Sequence, residues 1–145
     1  MSKLEKLTKL NDICLFVKDF NACRKFYTEK FGFIEKRLQP DPEHANYVEF
    51  EFQGTSVTMW QIDAVRELLG DDALKDLGHH YMIAVKVPTL QDVDDIANEL
   101  ISRGVRCVRP AETYVFGSRA VYLADYEGNI WEVFAWEEGN GPGLL

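Results

Sequence analysis

Two hydrophobic rhythms alternate along this chain. One repeats every second residue and predicts strands; the other repeats every three to four and predicts helices. Residues 10–17 read as a strand, with Ile13, Leu15 and Val17 on one face and Asp12, Cys14 and Phe16 on the other. Asp19 and Asn21 can each cap a helix reaching about Lys30, with Ala22, Phe26 and Tyr27 on its apolar side and Gly32 ending it. Residues 33–38, 47–52 and 56–61 are three further strands. Pro40 and Pro42 place a loop after the first of them, and Gln53-Gly54-Thr55 makes a hairpin turn between the other two. Residues 62–78 mix leucines with charges between Gly70 and Gly78 and read as a short helical linker.

The pattern then starts again. Residues 80–87 form a strand, and Thr89 caps a helix whose stripe is Val93, Ile96, Ala97, Leu100 and Ile101. Gly104 ends that helix. Residues 105–108 are a strand, and 110–118 a loop or broken strand. Residues 120–136 form a closing hairpin around Asp125-Tyr126-Glu127-Gly128-Asn129, with one carboxylate, Glu132, in the middle of its second apolar run. A buried carboxylate without a partner is costly, so Glu132 must face solvent, pair with a cation or bind a metal.

These two passages are copies of one βαβββ unit. Repeat 1 covers about 10–61, the linker 62–78 and repeat 2 about 79–136, with a loose tail over 137–145, all within one domain. An offset of about 70 residues is too long for a solenoid and indicates duplication. Asp12 and His80 are taken to open equivalent strands, and Thr58 and Glu132 to follow equivalent hairpin glycines, Gly54 and Gly128. The expected fold is α+β: two repeats forming a half-open mixed-sheet barrel with a central cleft. Alternation puts Ile13, Leu15 and Val17, and likewise Tyr81, Ile83 and Val85, beneath helices. Asp12, Cys14, Phe16, Ser56, Thr58, Trp60, His80, Met82, Tyr122, Ile130, Glu132 and Phe134 take the cleft face, while Trp131 goes to the core.

Charge and cysteine content narrow the function classes. A net charge of -8 argues against nucleic acid or an anionic membrane as partner. The chain has neither an apolar run long enough to span a bilayer nor a signal-peptide core at its start. Cys14, Cys23 and Cys107 lack the paired spacing of a metal site and read as reduced thiols of a cytoplasmic protein. His44 belongs in a solvated loop, His79 at the start of its strand, and Asp94-Asp95 on a solvated helix face. Arg119, amid Arg103, Arg106 and Arg109, can meet an anionic group at the cleft rim or lie on a solvated edge.

Val17-Lys18-Asp19, Lys25-Phe26-Tyr27 and Phe31-Gly32-Phe33 resemble the first strand-to-helix passage of the vicinal-oxygen-chelate superfamily. Residues 125–132 resemble its closing turn and strand. That group includes glyoxalase I, fosfomycin-resistance proteins, extradiol dioxygenases and metal-free bleomycin-resistance proteins. The resemblance implies metal-ligand positions at Asp12, Thr58, His80 and Glu132. Of these His80 and Glu132 match the usual types, Asp12 stands where His is common, and Thr58 departs. It further implies a homodimer acting on a small molecule.

Two functions follow. In the first, His80, Glu132 and Asp12 hold a divalent metal (Mn, Fe, Ni or Zn) that polarises a substrate oxygen for isomerase, lyase or addition chemistry, with Glu132 doubling as base. In the second, a metal-free protein sequesters an aromatic compound against Trp60, Tyr122, Phe134 and Phe16, and Glu132 is a relic. Arg119 and Cys14 complete the expected substrate-binding set; Cys14 serves as a small cleft-lining side chain unless a base or cation lowers its pKa.

Overall fold

The computed structural model describes residues 4–6, 8, 10–75, 81–114 and 117–137. His79, His80, the end of the linker and the tail beyond residue 137 lie outside the described residues. Within them the chain forms β1 (Asp12–Val17), α1 (Phe20–Glu29), β2 (Glu35–Gln39), β3 (Tyr47–Phe50), β4 (Ser56–Gln61), α2 (Ile62–Leu69), α3 (Asp71–Leu74), β5 (Ile83–Lys86), α4 (Leu90–Ser102), β6 (Arg106–Thr113), β7 (Ser118–Ala124) and β8 (Ile130–Trp136). The strands make two mixed four-stranded sheets with the same topology, β1-β4-β3-β2 and β5-β8-β7-β6. In each, the first strand runs parallel to the last and the other neighbours are antiparallel. The fold is the expected α+β arrangement of two βαβββ repeats. No described helix is long and apolar enough to cross a membrane.

The described residues group into two compact units. One contains those up to 24 with 32–75; the other contains 25–31 with those from 81 onward. In the first, Leu15, Val17, Val48, Phe50, Val57 and Met59 are buried, as are Phe20, Cys23 and Val65. The strand residues follow the period of two. The helix stripe differs from expectation: Phe20, Cys23 and Tyr27 carry the burial, and Ala22 and Phe26 are only partly covered. Asp19 sets this phase by capping α1, its Oδ1 accepting from the Ala22 amide at 3.0 Å. β2 begins two residues later than the pattern suggests, because Phe33 packs against Phe50 and Phe52 (ring centres 5.6 and 5.0 Å apart) instead of joining the ladder.

In the second unit, α4 starts with a reciprocal capping box between Thr89 and Asp92. Its Val93, Ala97 and Leu100 form one buried cluster with Val105, Val121, Leu123, Val133 and Ala135. Ile101, expected in that stripe, is 44% exposed, and Tyr81 is 55% exposed because β5 starts only at Ile83. β6 does not break at Pro110. A shift of register between Arg109 and Glu112 absorbs the proline, which has no N–H to give the ladder.

The closing turn is held by Asp125, which is 6% exposed. Its Oδ1 accepts the amides of Glu127 (2.9 Å) and Asn129 (2.8 Å), and its Oδ2 accepts Asn129 Nδ2 at 2.9 Å. Gly128, at φ 89°, supplies the left-handed residue this turn requires. Asp125 Oδ2 also accepts the Tyr27 hydroxyl, and that hydroxyl accepts Trp131 Nε1–H at 3.0 Å. Phe31 packs edge-on against both Tyr27 (5.5 Å) and Trp131 (5.4 Å). Tyr27→Phe removes the hydroxyl that links the Trp131 indole N–H to the Asp125 carboxylate. It is expected to lower the unfolding free energy by about 1–3 kcal/mol, read as a lower urea midpoint at unchanged slope.

Candidate functional site

Residues on the less buried face of each sheet converge by strand alternation. In the first unit these are Asp12, Cys14, Phe16, Tyr47, Glu49, Ser56 and Trp60, with Thr58 fully buried among them. Asp12 Oδ2 accepts the Thr58 hydroxyl at 2.8 Å, and Oδ1 accepts Asn11 Nδ2 at 2.9 Å. Cys14 is the rung partner of Thr58. Burial pushes the Cys14 thiol up, opposing thiolate formation, so this cysteine is a small lining side chain and not an activated nucleophile. Glu49 accepts Ser56 Oγ at 2.8 Å and has Arg37 at 3.8 Å. Trp60 is the rung partner of both Phe16 and Tyr47. The Tyr47 and Trp60 rings stand perpendicular with centres 6.1 Å apart. Tyr47's phenol is pushed up, first by burial and then by Asp12 and Glu49 nearby.

In the second unit the corresponding face carries Tyr122, Ile130, Glu132 and Phe134. Tyr122 and Glu132 are rung partners, and the Tyr122 hydroxyl donates to Glu132 Oε2 at 2.5 Å. Burial, followed by that bond, pushes the Tyr122 phenol up to about 12. A hollow of about 440 Å³ is lined by Val108, Arg109, Tyr114, Tyr122 and Ile130. Arg109 is the rung partner of Tyr122, pairs with Glu112 at 2.9 Å, and lies 5.6 Å from the centre of the Tyr114 ring. Phe134 meets Trp136 edge-on at 6.2 Å.

Arg119 is on the opposite face of β7. It forks onto Asp94 of α4, with Nη2 2.7 Å from Oδ1 and Nε 3.1 Å from Oδ2, and its Nη1 donates to Thr113. The basic residue beside Tyr122 is therefore Arg109. Asp94 in turn is not on a free helix face. The sequence pointed to a basic group but could not aim it, because a break at Pro110 would have erased the facing of Arg109. Glu49 was legible as the alternate of Val48 on β3, between Tyr47 and Phe50.

Strand register corrects the repeat equivalence. Asp19 and Thr89, which cap α1 and α4, are 70 residues apart. Cys14 and Ala84, the rung partners of Thr58 and Glu132, are also 70 apart. Both place Met82, and not His80, at the position equivalent to Asp12. The two residues expected to be equivalent thus differ by one full period of the strand.

The four repeat-related positions are then Asp12, Thr58, Met82 and Glu132: two carboxylates, a hydroxyl already donating to one of them, and a thioether. Mn, Fe, Ni and Zn sites are built from imidazole, carboxylate and thiolate, and a soft thioether is a poor substitute. By residue type, these four positions lack the imidazole and thiolate donors that such ions favour. Among the described residues no group of three or more His, Cys, Asp and Glu is placed to hold a metal.

Two βαβββ units of one topology, each with polar and aromatic side chains on the less buried sheet face, define the class of fold. The chain belongs to the Glyoxalase/Bleomycin resistance protein/Dioxygenase superfamily, whose family model matches residues 9–133. A crystal structure of a glyoxalase/bleomycin resistance protein/dioxygenase from Nocardioides is 29% identical, with a TM-score of 0.77 over 98% of this chain and 95% of that one. The uncharacterized protein YraH of Bacillus subtilis (strain 168) is 25% identical over 87% of this chain and 97% of its own length. Lactoylglutathione lyase from Agrobacterium tumefaciens, 17% identical over 88% of this chain and 93% of that one, shares the fold with a TM-score of 0.66.

Because Arg119 is held by a partly covered fork, with 24% of its side chain exposed, Arg119→Gln should cost about 0.5–1 kcal/mol of stability and leave ligand binding unchanged. Arg109→Gln should leave the thermal midpoint where it is. A larger drop for Arg109→Gln in parallel melts would reverse this assignment.

Proposed function

We propose that the protein binds a small aromatic molecule without a resident metal, in the manner of the sequestering branch of its superfamily. The observation that carries this reading is the register of Ala84 on Glu132, which matches that of Cys14 on Thr58; counting back two residues from each makes Met82 the counterpart of Asp12. Aromatic side chains supply the affinity: Trp60 with Tyr47 and Phe16 on one sheet, Tyr122 and Phe134 on the other. Flat rings against such surfaces gain by area burial and by edge-to-face contact.

Glu132 orients the ligand. One carboxylate oxygen accepts the Tyr122 hydroxyl, and the acceptor capacity that remains can take a ligand N–H or O–H. The raised Tyr122 phenol keeps its proton at neutral pH, so it remains the donor and Glu132 the acceptor. On the first sheet Asp12 is held by the Thr58 hydroxyl on one oxygen and by the Asn11 side-chain amide on the other. As part of this reading the protein works as a homodimer.

The metal-dependent alternative rests on the remaining acceptor capacity of Glu132, together with Asp12 and with His80, and it makes an opposite forecast. The protein should be loaded with Mn²⁺, Ni²⁺, Zn²⁺ or Fe²⁺, desalted and assayed for metal, alongside His80→Ala and Glu132→Gln. Well below one equivalent is expected in all three proteins. One equivalent in the parent that is lost from both variants would establish the metal enzyme and overturn the metal-free reading.

A further inference from the structure

A groove of about 730 Å³ opens in the first unit, lined by Gln39, Pro40, Asn46, Tyr47, Trp60, Ala64 and Glu67. This volume lies within the range of small-molecule sites. One wall is α2, which lies between the repeats, so the groove is not a product of the duplicated architecture. Gln61 fixes that wall: its side-chain oxygen caps α2 by accepting the Asp63 backbone N–H at 2.7 Å, and its own backbone N–H donates to the Asn46 carbonyl at 2.8 Å. Cap and groove floor are therefore one connected piece of backbone.

The groove combines three features. Its aromatic corner is the perpendicular Tyr47–Trp60 pair. Its charge is negative: the exposed Glu67 lines it, and Asp12 is close enough to Tyr47 to act on its phenol. Arg66, on the helix that walls the groove, is already matched by Asp63 (2.6 Å) and Asp71 (3.1 Å). Aromatic faces attract cations through their ring quadrupole, and a carboxylate rim adds a Coulombic term. A carboxylate-bearing ligand would meet repulsion from the same groups.

From this we infer that the groove takes an organic cation, a protonated or quaternary amine on an apolar or aromatic body, with the charged nitrogen between Trp60 and Glu67. The inference rests on the reading that the protein binds an aromatic small molecule, and it specifies the charge of that molecule.

The test is calorimetric titration with three probes of similar shape: benzyltrimethylammonium, neutral benzyl alcohol and anionic phenylacetate. Parent protein, Trp60→Leu and Glu67→Gln are compared at low and high salt. The cation should bind saturably and tighter than the alcohol, and phenylacetate not at all. Trp60→Leu should weaken the cation by roughly three- to thirtyfold. Glu67→Gln should weaken it by about two- to fivefold, and this loss should shrink as salt is raised. Equal affinity for the cation and the alcohol, or a Glu67→Gln titration identical to the parent's, overturns the cation while leaving the aromatic binder standing. No saturable binding by any probe overturns both.

Discussion

The buried carboxylate of Asp125 is the interaction on which the second sheet depends. It gathers two turn amides, a side-chain amide and the Tyr27 hydroxyl into one cluster, and Tyr27 passes the contact on to Trp131. A carboxylate this well surrounded can remain buried at little cost, because its lone pairs are met by donors already in place. The turn it shapes fixes where β7 meets β8. That register in turn sets Tyr122 against Glu132 and Leu123 against Trp131. It also explains why residues 25–31 belong with the second unit although the rest of the first repeat does not.

Each sheet keeps a hydroxyl beside a carboxylate on its less buried face: Thr58 with Asp12 on one, Tyr122 with Glu132 on the other. In each case the hydroxyl satisfies one oxygen and fixes the carboxylate's orientation. A carboxylate has about four acceptor sites, so a donor on an oxygen orients it and still leaves capacity for a ligand, as on Asp12, whose second oxygen is met by Asn11. Arg119 illustrates the contrast. Its guanidinium is occupied by Asp94 and Thr113 on the far face of β7, and there it ties helix α4 to the sheet.

Duplication has left the two halves alike in topology and unlike in chemistry. The strand order is the same in both sheets, yet the repeat-related positions read Asp, Thr, Met and Glu. Shape is held by many interchangeable apolar contacts, so the fold tolerates drift at any one position. A metal site, by contrast, depends on a few donors of the right type at fixed distance and tolerates far less drift. The persistence of the fold beside such a donor set is the expected result of that asymmetry.

Local periodicity in the sequence was enough to determine the two βαβββ units, the Thr89 cap, the closing turn and the faces of Asp12, Trp60, Tyr122 and Glu132. Each of these follows from the step of two along a strand or the chemistry of a few adjacent residues. Tertiary structure alone decided which rungs are level with one another. Alternation is unchanged by a shift of two residues, so His80 and Met82 look equally suited to match Asp12 until pairing with β8 is known. It also decided that Arg109 lies beside Tyr122 while Arg119 turns to Asp94, because the register shift at Pro110 has no period for a sequence to display.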